Sequence, residues 1–305
     1  MTQENIIMAE ERQATWRERH QSTIRQLRLY AHTYSRNASA MLGLAIVALF
    51  FFVALFGPLF VPYPEDATGA IHLDNKLQPP SWEHWFGTDE VGADVFTRVI
   101  VGARVTLHIS LFVTVVAMLI GVPLGIAAGY HGGRIGQVIM RLTDVFLSVP
   151  ALILAIAIVG SMGPGVQNAI IALALAWWPG YVRLVQSKAL SIRSAIYVDA
   201  ARTMGASNFR IIFVHILPNC ASPIIVKASM DMGMSILGIA SLGFLGLGAQ
   251  PPYPEWGAMI STGRNYLPDW WWYSFFPGIS IFITVLGFNL VGDGLRDVLD
   301  PRGRK

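Results

Sequence analysis

The uncharged stretch that decides the fold lies at residues 41–61 and has the sequence MLGLAIVALFFFVALFGPLFV. A helix needs about 20 consecutive apolar residues to cross the hydrocarbon core of a bilayer, and this stretch contains no Asp, Glu, Lys or Arg. The whole chain has a matching composition, since 53% of its 305 residues are hydrophobic and 13% are charged. Soluble domains have about 25% charged residues, so the composition predicts an all-α, polytopic membrane protein.

Further uncharged windows predict more spans after the first, which we assign to residues 37–64. Gly and Pro in the segment SMGPG at 161–165 divide the uncharged window 145–182 into two spans, because these residues interrupt helices. The sequence therefore predicts a bundle of six transmembrane helices, with the later five forming a core at residues 105–295. These five spans are predicted at residues 107–130, 138–160, 166–185, 223–247 and 274–295.

Lys and Arg are distributed unequally between the two sides of this topology. Eighteen of the 22 lie in the tails and in the loops that follow spans two and four, and cytoplasmic segments are enriched in these residues. We therefore predict cytoplasmic tails at residues 1–36 and 296–305, and an external loop at residues 65–104. The N-terminal tail is predicted to lie on membrane lipid as an amphipathic segment.

The motifs of the commonest enzyme classes are absent from the sequence. It contains no G-x-x-x-x-G-K-[ST] nucleotide loop, no H-E-x-x-H metal motif and no G-x-S-x-G nucleophile motif. A single cysteine, Cys220, excludes an intrachain disulfide, and the seven histidines lack metal-ligand spacing. The chain is therefore predicted to be neither an enzyme nor a metal or cofactor protein, and an intramembrane enzyme finds no support.

Asp144 and Asp231 are acidic residues that fall inside the predicted spans. Asp231 lies in span five, four residues after Lys227, so the two side chains share a helical face and can neutralise one another. Asp144 lies near the start of span three, close to Arg141 in sequence. Because an ionised group in the bilayer normally faces protein or water, each acid is predicted either to line a pathway or to make a structural pair.

A cationic segment, YVDAARTMGASNFRIIFVHILPN at residues 197–219, separates spans four and five. Residues 189–204 are predicted to form a helix that ends at Gly205, because glycine adopts the left-handed conformation readily. Ser207 is a suitable N-cap for a second short helix, which Pro218 is expected to stop. Either a docking site for another protein or an amphipathic linker on lipid headgroups fits this pattern.

The same segment resembles the EAA loop found in permease subunits of ATP-binding cassette importers. That loop has Glu-Ala-Ala, a glycine four residues after the second alanine, and a Leu-Pro ending. Two positions depart from it, since Asp199 replaces Glu and His215 stands where Ile is common. The matching positions here are Asp199, Ala200, Ala201, Gly205, Leu217 and Pro218.

Longer motifs resemble the dipeptide, oligopeptide and nickel permeases among these importers. One departure is Ala93, where Arg usually follows the second glycine of the GTD motif. The resemblance implies the helix-bundle fold of type I importer permeases, placed in the bacterial inner membrane. It rests on FGTDEVGADVFTRVIVGARVTL (86–107), MRLTDVFLSVPALILAIAI (140–158), SLGFLGLGAQPPYPEWGAMI (241–260) and FPGISIFITVLGFNLVGDGLRDVLDPR (276–302).

The resemblance also implies partners for this chain. Type I importers combine two homologous permeases, here a heterodimer, with two cytoplasmic ATPases and a periplasmic binding protein. The EAA loop, residues 189–218, would carry the coupling helix that contacts an ATPase, and no nucleic acid is expected to bind. ATP and Mg would be bound by the ATPases, not by this chain. The contacting residues would be Asp199, Ala200, Ala201 and Gly205, with Arg202 nearby.

The predicted function is a permease that forms a path for short peptides. Transport of nickel or another small solute by the same machinery is the first alternative. A stand-alone secondary transporter is the second, and inverted repeats with broken helices would favour it. The sequence shows no internal duplication of that kind.

Overall fold

The fold is a bundle of α-helices in a computed structural model, which describes Arg25 and residues 28–299. Most of the predicted tail at 1–36, and residues 300–305 of the other tail, lie outside the described residues. Residues 28–35 are helical. The main helices are α1 (Ala38–Phe56), α2 (Val95–His131), α3 (Gly133–Leu147), α4 (Ala151–Met162), α5 (Val166–Arg193), α6 (Ile196–Thr203), α7 (Asn208–Phe244), α8 (Trp256–Gly263) and α9 (Trp272–Leu299).

Within the residues that the structure describes, five helices are long and apolar enough to cross a membrane, namely α1 with its extension to Leu59, α2, α5, α7 and α9. Helices α3 and α4 meet the same criteria together, and counting them as one span gives the predicted six. The prediction of one continuous helix at residues 138–160 is wrong, because α3 and α4 meet at an angle of 85°. Pro150 accounts for the break, since its ring disfavours a helical conformation at Val149.

Helix α2 begins earlier than predicted, at Val95 instead of Leu107. Its N-cap is Asp94, whose carboxylate accepts the Thr97 N–H at 2.7 Å, and such a cap stabilises the first turn of a helix. Arg98 and Arg104 therefore lie on α2, although both were assigned to the external loop. The predicted boundary between loop and core falls inside a continuous helix.

Pro218 does not stop the helix before span five, contrary to the prediction, because α7 continues through it to Phe244. Residues 211–216 form a π-helical turn, in which the Leu217 N–H donates to the Ile212 carbonyl five residues earlier. A proline in a regular α-helix clashes with the carbonyl four residues before it. The wider π turn changes this register just before Pro218 and lets the helix continue.

Glycines bring α2 and α5 into close contact along their length. Gly121, Gly125 and Gly129 face α5 so closely that an added Cβ would lie 2.5–2.7 Å from the nearest α5 side-chain atom. Small residues at such spacing allow two membrane helices to approach and pack tightly. The contact holds α5, and the segment that follows it, firmly against α2.

Candidate functional site

Residues 194–218, from the end of α5 to Pro218 just after the π turn, contain most of the predicted site, and we call them the EAA segment. The predicted helix at 189–204 is divided, because α5 ends at Arg193 and α6 begins at Ile196. Ala195 between them has the extended conformation, with φ −78° and ψ 140°. The first five residues of the predicted loop therefore belong to the membrane helix α5.

The turn between α6 and α7 has the predicted form. Gly205 has φ +83°, a left-handed conformation that is costly for other residues. Beside it, the Ala206 N–H donates to the Ala201 carbonyl at 3.0 Å and ends α6. Ser207 caps α7, since its Oγ accepts the Arg210 N–H at 3.3 Å. Local hydrogen bonds thus confirm the predicted helix–turn–helix.

The EAA segment is anchored to the membrane helices by its inner face. Val198, Ile211 and Ile216 are buried in a cluster with residues of α2 and α5. Tyr130 at the end of α2 adds a hydrogen bond, because its Oη donates to Asn208 Oδ1 at 2.6 Å. The segment therefore cannot shift without displacing the ends of α2 and α5.

The outer face of the EAA segment carries both charge and large apolar side chains. Asp199 and Arg202 form an exposed ion pair at 3.3 Å, and Ala200, Gly205 and Pro218 are also exposed. Of the other predicted contact residues, Ala201 is buried and Leu217 is half-buried. Several large apolar side chains exposed on one segment favour an interaction site. The exposed apolar residues are Ile196, Met204, Phe209, Phe213 and Val214.

His215, which departs from the EAA pattern, has a structural contact. Its ring centroid lies 6.0 Å from that of Tyr197, with the rings tilted by 58°. Tyr197 belongs to α6 and His215 to the π turn of α7, so the contact joins the two arms of the segment. Aromatic pairs at such distances contribute about 0.5–1.5 kcal/mol to stability, in addition to the contribution of their buried area.

Asp144 and Asp231, the candidate pathway residues, lie in different surroundings. Asp144, on α3, pairs with Arg183 of α5, and both side chains are more than half exposed. Asp231, on α7, is 6% exposed and accepts a hydrogen bond from Lys227 Nζ at 3.1 Å, which confirms the predicted neutralisation. The Lys227 ammonium also lies 4.9 Å from the centroid of the Tyr181 ring.

Asp231 lies at the inner end of an open cavity of about 880 Å³ between α5, α7 and α9. Exposed residues such as Lys188 and Pro218 line the other end, where the cavity meets the EAA segment. Asp144 does not line it. Of the two candidate pathway residues, Asp231 alone is therefore buried and also lines a large cavity in the described structure.

At the opposite end of α2, residues 63–94 and 249–273 form a compact layer that we call the GTD layer. Four of its acids are no more than 1% exposed, and each has partners within the chain. The Arg98 guanidinium donates to Asp89 at 2.9 Å, and His84 Nδ1 lies 3.0 Å from Asp94. Asp89, Asp94 and Arg98 lie in the GTD motif, but the sequence did not predict how they pair, because the pairing depends on tertiary structure. The four acids are Asp66, Asp89, Asp94 and Glu255.

Burial changes the protonation of two acids in the GTD layer. It raises the pKa of Asp89 to about 6, although the Arg98 charge acts in the opposite direction. Burial raises the pKa of Glu255 to about 7, against the lowering effect of the Gly257 and Ala258 N–H groups. Ala93, the departure from the GTD pattern, is buried and donates its N–H to Asp89 at 2.9 Å.

Two protein families match the sequence. Residues 121–305 match the family described as binding-protein-dependent transport system inner membrane component. Residues 26–80 match the N-terminal TM domain of oligopeptide transport permease C. Together the two matches cover most of the chain, including the EAA segment and the first membrane helix.

Two individual relatives are similar to this chain over most of its length, in agreement with the family matches. The dipeptide transport system permease protein DppC of Alkalihalophilus pseudofirmus is 48% identical over 88% of this chain and 87% of the relative. The probable D,D-dipeptide transport system permease protein DdpC of Escherichia coli K12 is also 48% identical, over 84% and 85%.

The fold has a solved counterpart in a chain of the inward-facing MetNI methionine ABC transporter. The TM-score is 0.55 at 20% identity, and the match covers 67% of this chain and 97% of that one. This likeness shows the fold alone, which is that of a type I ABC importer permease. The family matches and the high identity over most of the chain show that it belongs to the family of inner-membrane permease components of binding-protein-dependent transport systems.

Proposed function

We propose that this chain is one of two homologous permeases in an ATP-driven importer of short peptides. A peptide substrate is supported by the names of its relatives, which are permeases of dipeptide and D,D-dipeptide transport systems. In this proposal the chain pairs with a related permease to form a heterodimer. A periplasmic binding protein delivers the peptide on the side of the GTD layer.

The observation that carries this proposal is the construction of the EAA segment. Its inner face is locked to α2 and α5, while its outer face exposes apolar residues, Met204 being 82% and Phe209 70% exposed. Such a surface suits a partner protein, and we assign it to a cytoplasmic ATPase. Because the chain has no nucleotide loop, ATP and Mg would be bound by that partner.

The contacts of the inner face can transmit motion of the EAA segment to the membrane helices. An ATPase that pulls on Asp199, Ala200, Arg202 and Gly205 also moves α2, through the Tyr130–Asn208 hydrogen bond. The glycine contacts between α2 and α5 make these helices move together. Rigid-body rotation of packed helices is a common form of switching, and here it would open the path on alternate sides. The termini are cytoplasmic in this arrangement.

Replacing Gly205 by Trp tests the proposal. Apart from Gly205 itself and its two neighbours in the chain, no described residue has an atom within 4 Å of a Cβ at this position, so the indole would project outwards to where the ATPase is proposed to dock. We expect the variant to insert and to remain folded, but to lose uptake and peptide-stimulated ATPase activity by about tenfold or more, as for a disrupted interface anchor. The measurement is uptake of labelled dipeptide into proteoliposomes that contain the complete transporter.

Gly205→Ala is the matched control. Alanine introduces the same left-handed strain, about 1–2 kcal/mol, without the bulk, so most of the uptake should remain. Wild-type uptake by Gly205→Trp would contradict the proposal. Equal loss in both variants would show that backbone strain, and not a docked partner, controls this position.

A further inference from the structure

Helix α2 carries an exposed cation on a largely apolar face. Arg104 and His108 lie about one turn apart and are both exposed, and neither forms a hydrogen bond or an ion pair with any of residues 28–299. Towards the membrane interior the face continues with Leu111 and Phe112, both exposed. The Phe112 ring centroid lies 5.5 Å from that of His108. An unpaired guanidinium at the edge of an apolar surface requires water or an anion as its partner.

Helix α1 gives the depth of this face in the membrane. The apolar span Ala38–Leu59 has 22 residues, which is about 33 Å at 1.5 Å per residue and close to the hydrocarbon thickness of about 30 Å. Leu59 therefore lies near the membrane boundary on the side of the GTD layer. A Cβ at Gly57 would lie 2.5 Å from Ile100 Cγ2, so Ile100 is level with this end of α1. Arg104 lies four residues deeper, or about 6 Å.

The Arg104 side chain can reach the lipid phosphates from this depth. Side chains of an α-helix lean towards its N-terminus, and the N-terminus of α2 lies at the GTD layer. The apolar stem of an arginine can stay in hydrocarbon while its guanidinium reaches the headgroups. A guanidinium binds phosphate oxygens with two parallel hydrogen bonds, so a phospholipid phosphate is a suitable anion for Arg104.

The side chains around Arg104 also suit a lipid. Trp85 is 58% exposed and packs against Phe96, about two turns closer to the GTD layer, with ring centroids 4.8 Å apart. Tryptophan is enriched at the boundary between membrane and water. Phe60, just beyond α1, is 74% exposed. From the GTD layer inwards the face therefore presents an indole, a cation and the apolar ring of Phe112, which matches the order of headgroup, phosphate and acyl chain in one leaflet.

We propose that this face of α2 binds a phospholipid of the leaflet that adjoins the GTD layer. The lipid phosphate accepts hydrogen bonds from the Arg104 guanidinium, and an ester carbonyl accepts from the N–H of the His108 ring. One acyl chain lies along Leu111 and Phe112. The site is separate from the proposed function, since it concerns the membrane around this chain and not the transported solute.

Fluorescence quenching of a label at position 112 tests the proposal. Phe112→Cys is labelled with bimane, and the chain is purified with its native membrane partners into nanodiscs of phosphatidylglycerol and phosphatidylcholine. Cys220, the native cysteine, is buried and should not react. A nitroxide on the acyl chain of the phosphatidylglycerol should quench most of the fluorescence, whereas iodide in the buffer should quench little, because an ion enters hydrocarbon only at high cost.

The other two outcomes of this measurement would overturn the proposal. Quenching by iodide alone would mean that this face of α2 lines a water-filled path. Quenching by neither agent would mean that a second protein chain covers the face.

Arg104→Gln tests the phosphate contact. The labelled complex in detergent is titrated with nitroxide-labelled phosphatidylglycerol, and separately with a nitroxide-labelled stearic acid methyl ester, which has no phosphate. We expect the variant to need about tenfold more phosphatidylglycerol for half-maximal quenching, as for loss of a hydrogen bond to a charged group. The titration with the methyl ester should be unchanged.

Arg264→Gln is the matched control, because Arg264 is an exposed arginine of the GTD layer that lies over the Phe244 ring and not on α2. It should bind phosphatidylglycerol as the wild type does. Unchanged phosphatidylglycerol binding by Arg104→Gln would refute the phosphate site, and so would equal weakening for both probes. Should Arg104→Gln fail to assemble, His108→Phe keeps the stacked ring but removes the N–H, and should weaken phosphatidylglycerol binding by about threefold.

Discussion

The GTD layer and the EAA segment lie at opposite ends of α2 and differ in the burial of their charged side chains. In the GTD layer, acids such as Asp89 and Asp94 are almost fully buried and find their partners within the chain. In the EAA segment, Asp199 and Arg202 are exposed beside the apolar side chain of Met204, which is also exposed. The first region pairs these buried acids within the chain, whereas the second places its ion pair at the surface.

This difference separates two consequences of mutation. Buried ion pairs are strongly destabilising when one partner is removed, because the other charge stays buried without compensation. Exposed pairs contribute little to folding. We therefore expect changes in the GTD layer to alter the stability of this chain, and changes in the EAA segment to alter its association with a partner.

Asp89→Ala should have the largest effect on stability. The variant leaves the Arg98 guanidinium, whose side chain is 15% exposed, without its carboxylate, and leaves the Val91 and Ala93 N–H groups without an acceptor. We expect a loss of about 3–5 kcal/mol. Thermal unfolding of the purified chain in detergent measures this loss of stability relative to the wild type.

Asp199→Ala provides the matched control at the other end of the bundle. It removes an acid from an exposed ion pair, so the unfolding temperature should change little, by less than about 1 kcal/mol in stability. Equal destabilisation by the two variants would show that the two regions do not differ as we describe.

Features set by local chemistry could be predicted from the sequence. The membrane spans follow from uncharged stretches of sufficient length, and the turn of the EAA segment follows from Gly205 and Ser207. The Lys227–Asp231 pair follows from a spacing of four residues on one helix. In each case the residues that determine the feature are close together in the chain.

Features set by packing could not be predicted in this way. The passage of α7 through Pro218 depends on a π turn, which no propensity of residues 211–216 indicates. The contact of His215 with Tyr197 and the pairing of Asp89 with Arg98 both require elements to be folded first. The cavity at Asp231 lies between three helices that are distant in sequence. Secondary-structure patterns contain no information about such contacts.

The stability of the folded chain should depend on pH because of an acid in the GTD layer. The carboxyl of Glu255 has a pKa of about 7, raised above its usual value by burial, so the folded state holds this proton more tightly than the unfolded state. The resulting stability is fully present below about pH 4 and is lost as the pH rises through about 7. We expect the wild type to lose about 2–3 kcal/mol from this group between pH 5 and pH 8, measured by thermal unfolding.

Glu255→Gln should reduce this pH dependence without abolishing it. Asp89 also has a raised pKa, of about 6, and it still titrates in the variant. The variant should also lose hydrogen bonding at the start of α8, because Gln has one acceptor oxygen where the two oxygens of Glu255 accept from the Gly257 and Ala258 N–H groups. An unchanged slope between pH 5 and pH 8 would contradict the assignment to Glu255.

Asp199→Lys should have the smallest effect on this chain but a clear one on its assembly. Reversing the charge places the introduced ammonium beside Arg202 on the same exposed turn, which weakens α6 by only a few tenths of a kcal/mol. At an interface, a misplaced charge slows association and weakens the complex. The fraction of ATPase that co-purifies with the tagged permease should therefore fall at least several-fold while the unfolding temperature is retained.

Asp269→Lys, the same reversal at an exposed position of the GTD layer, should leave co-purification unchanged. Equal co-purification by both variants would mean that the ATPase does not contact α6, and that the exposed surface of the EAA segment has another partner.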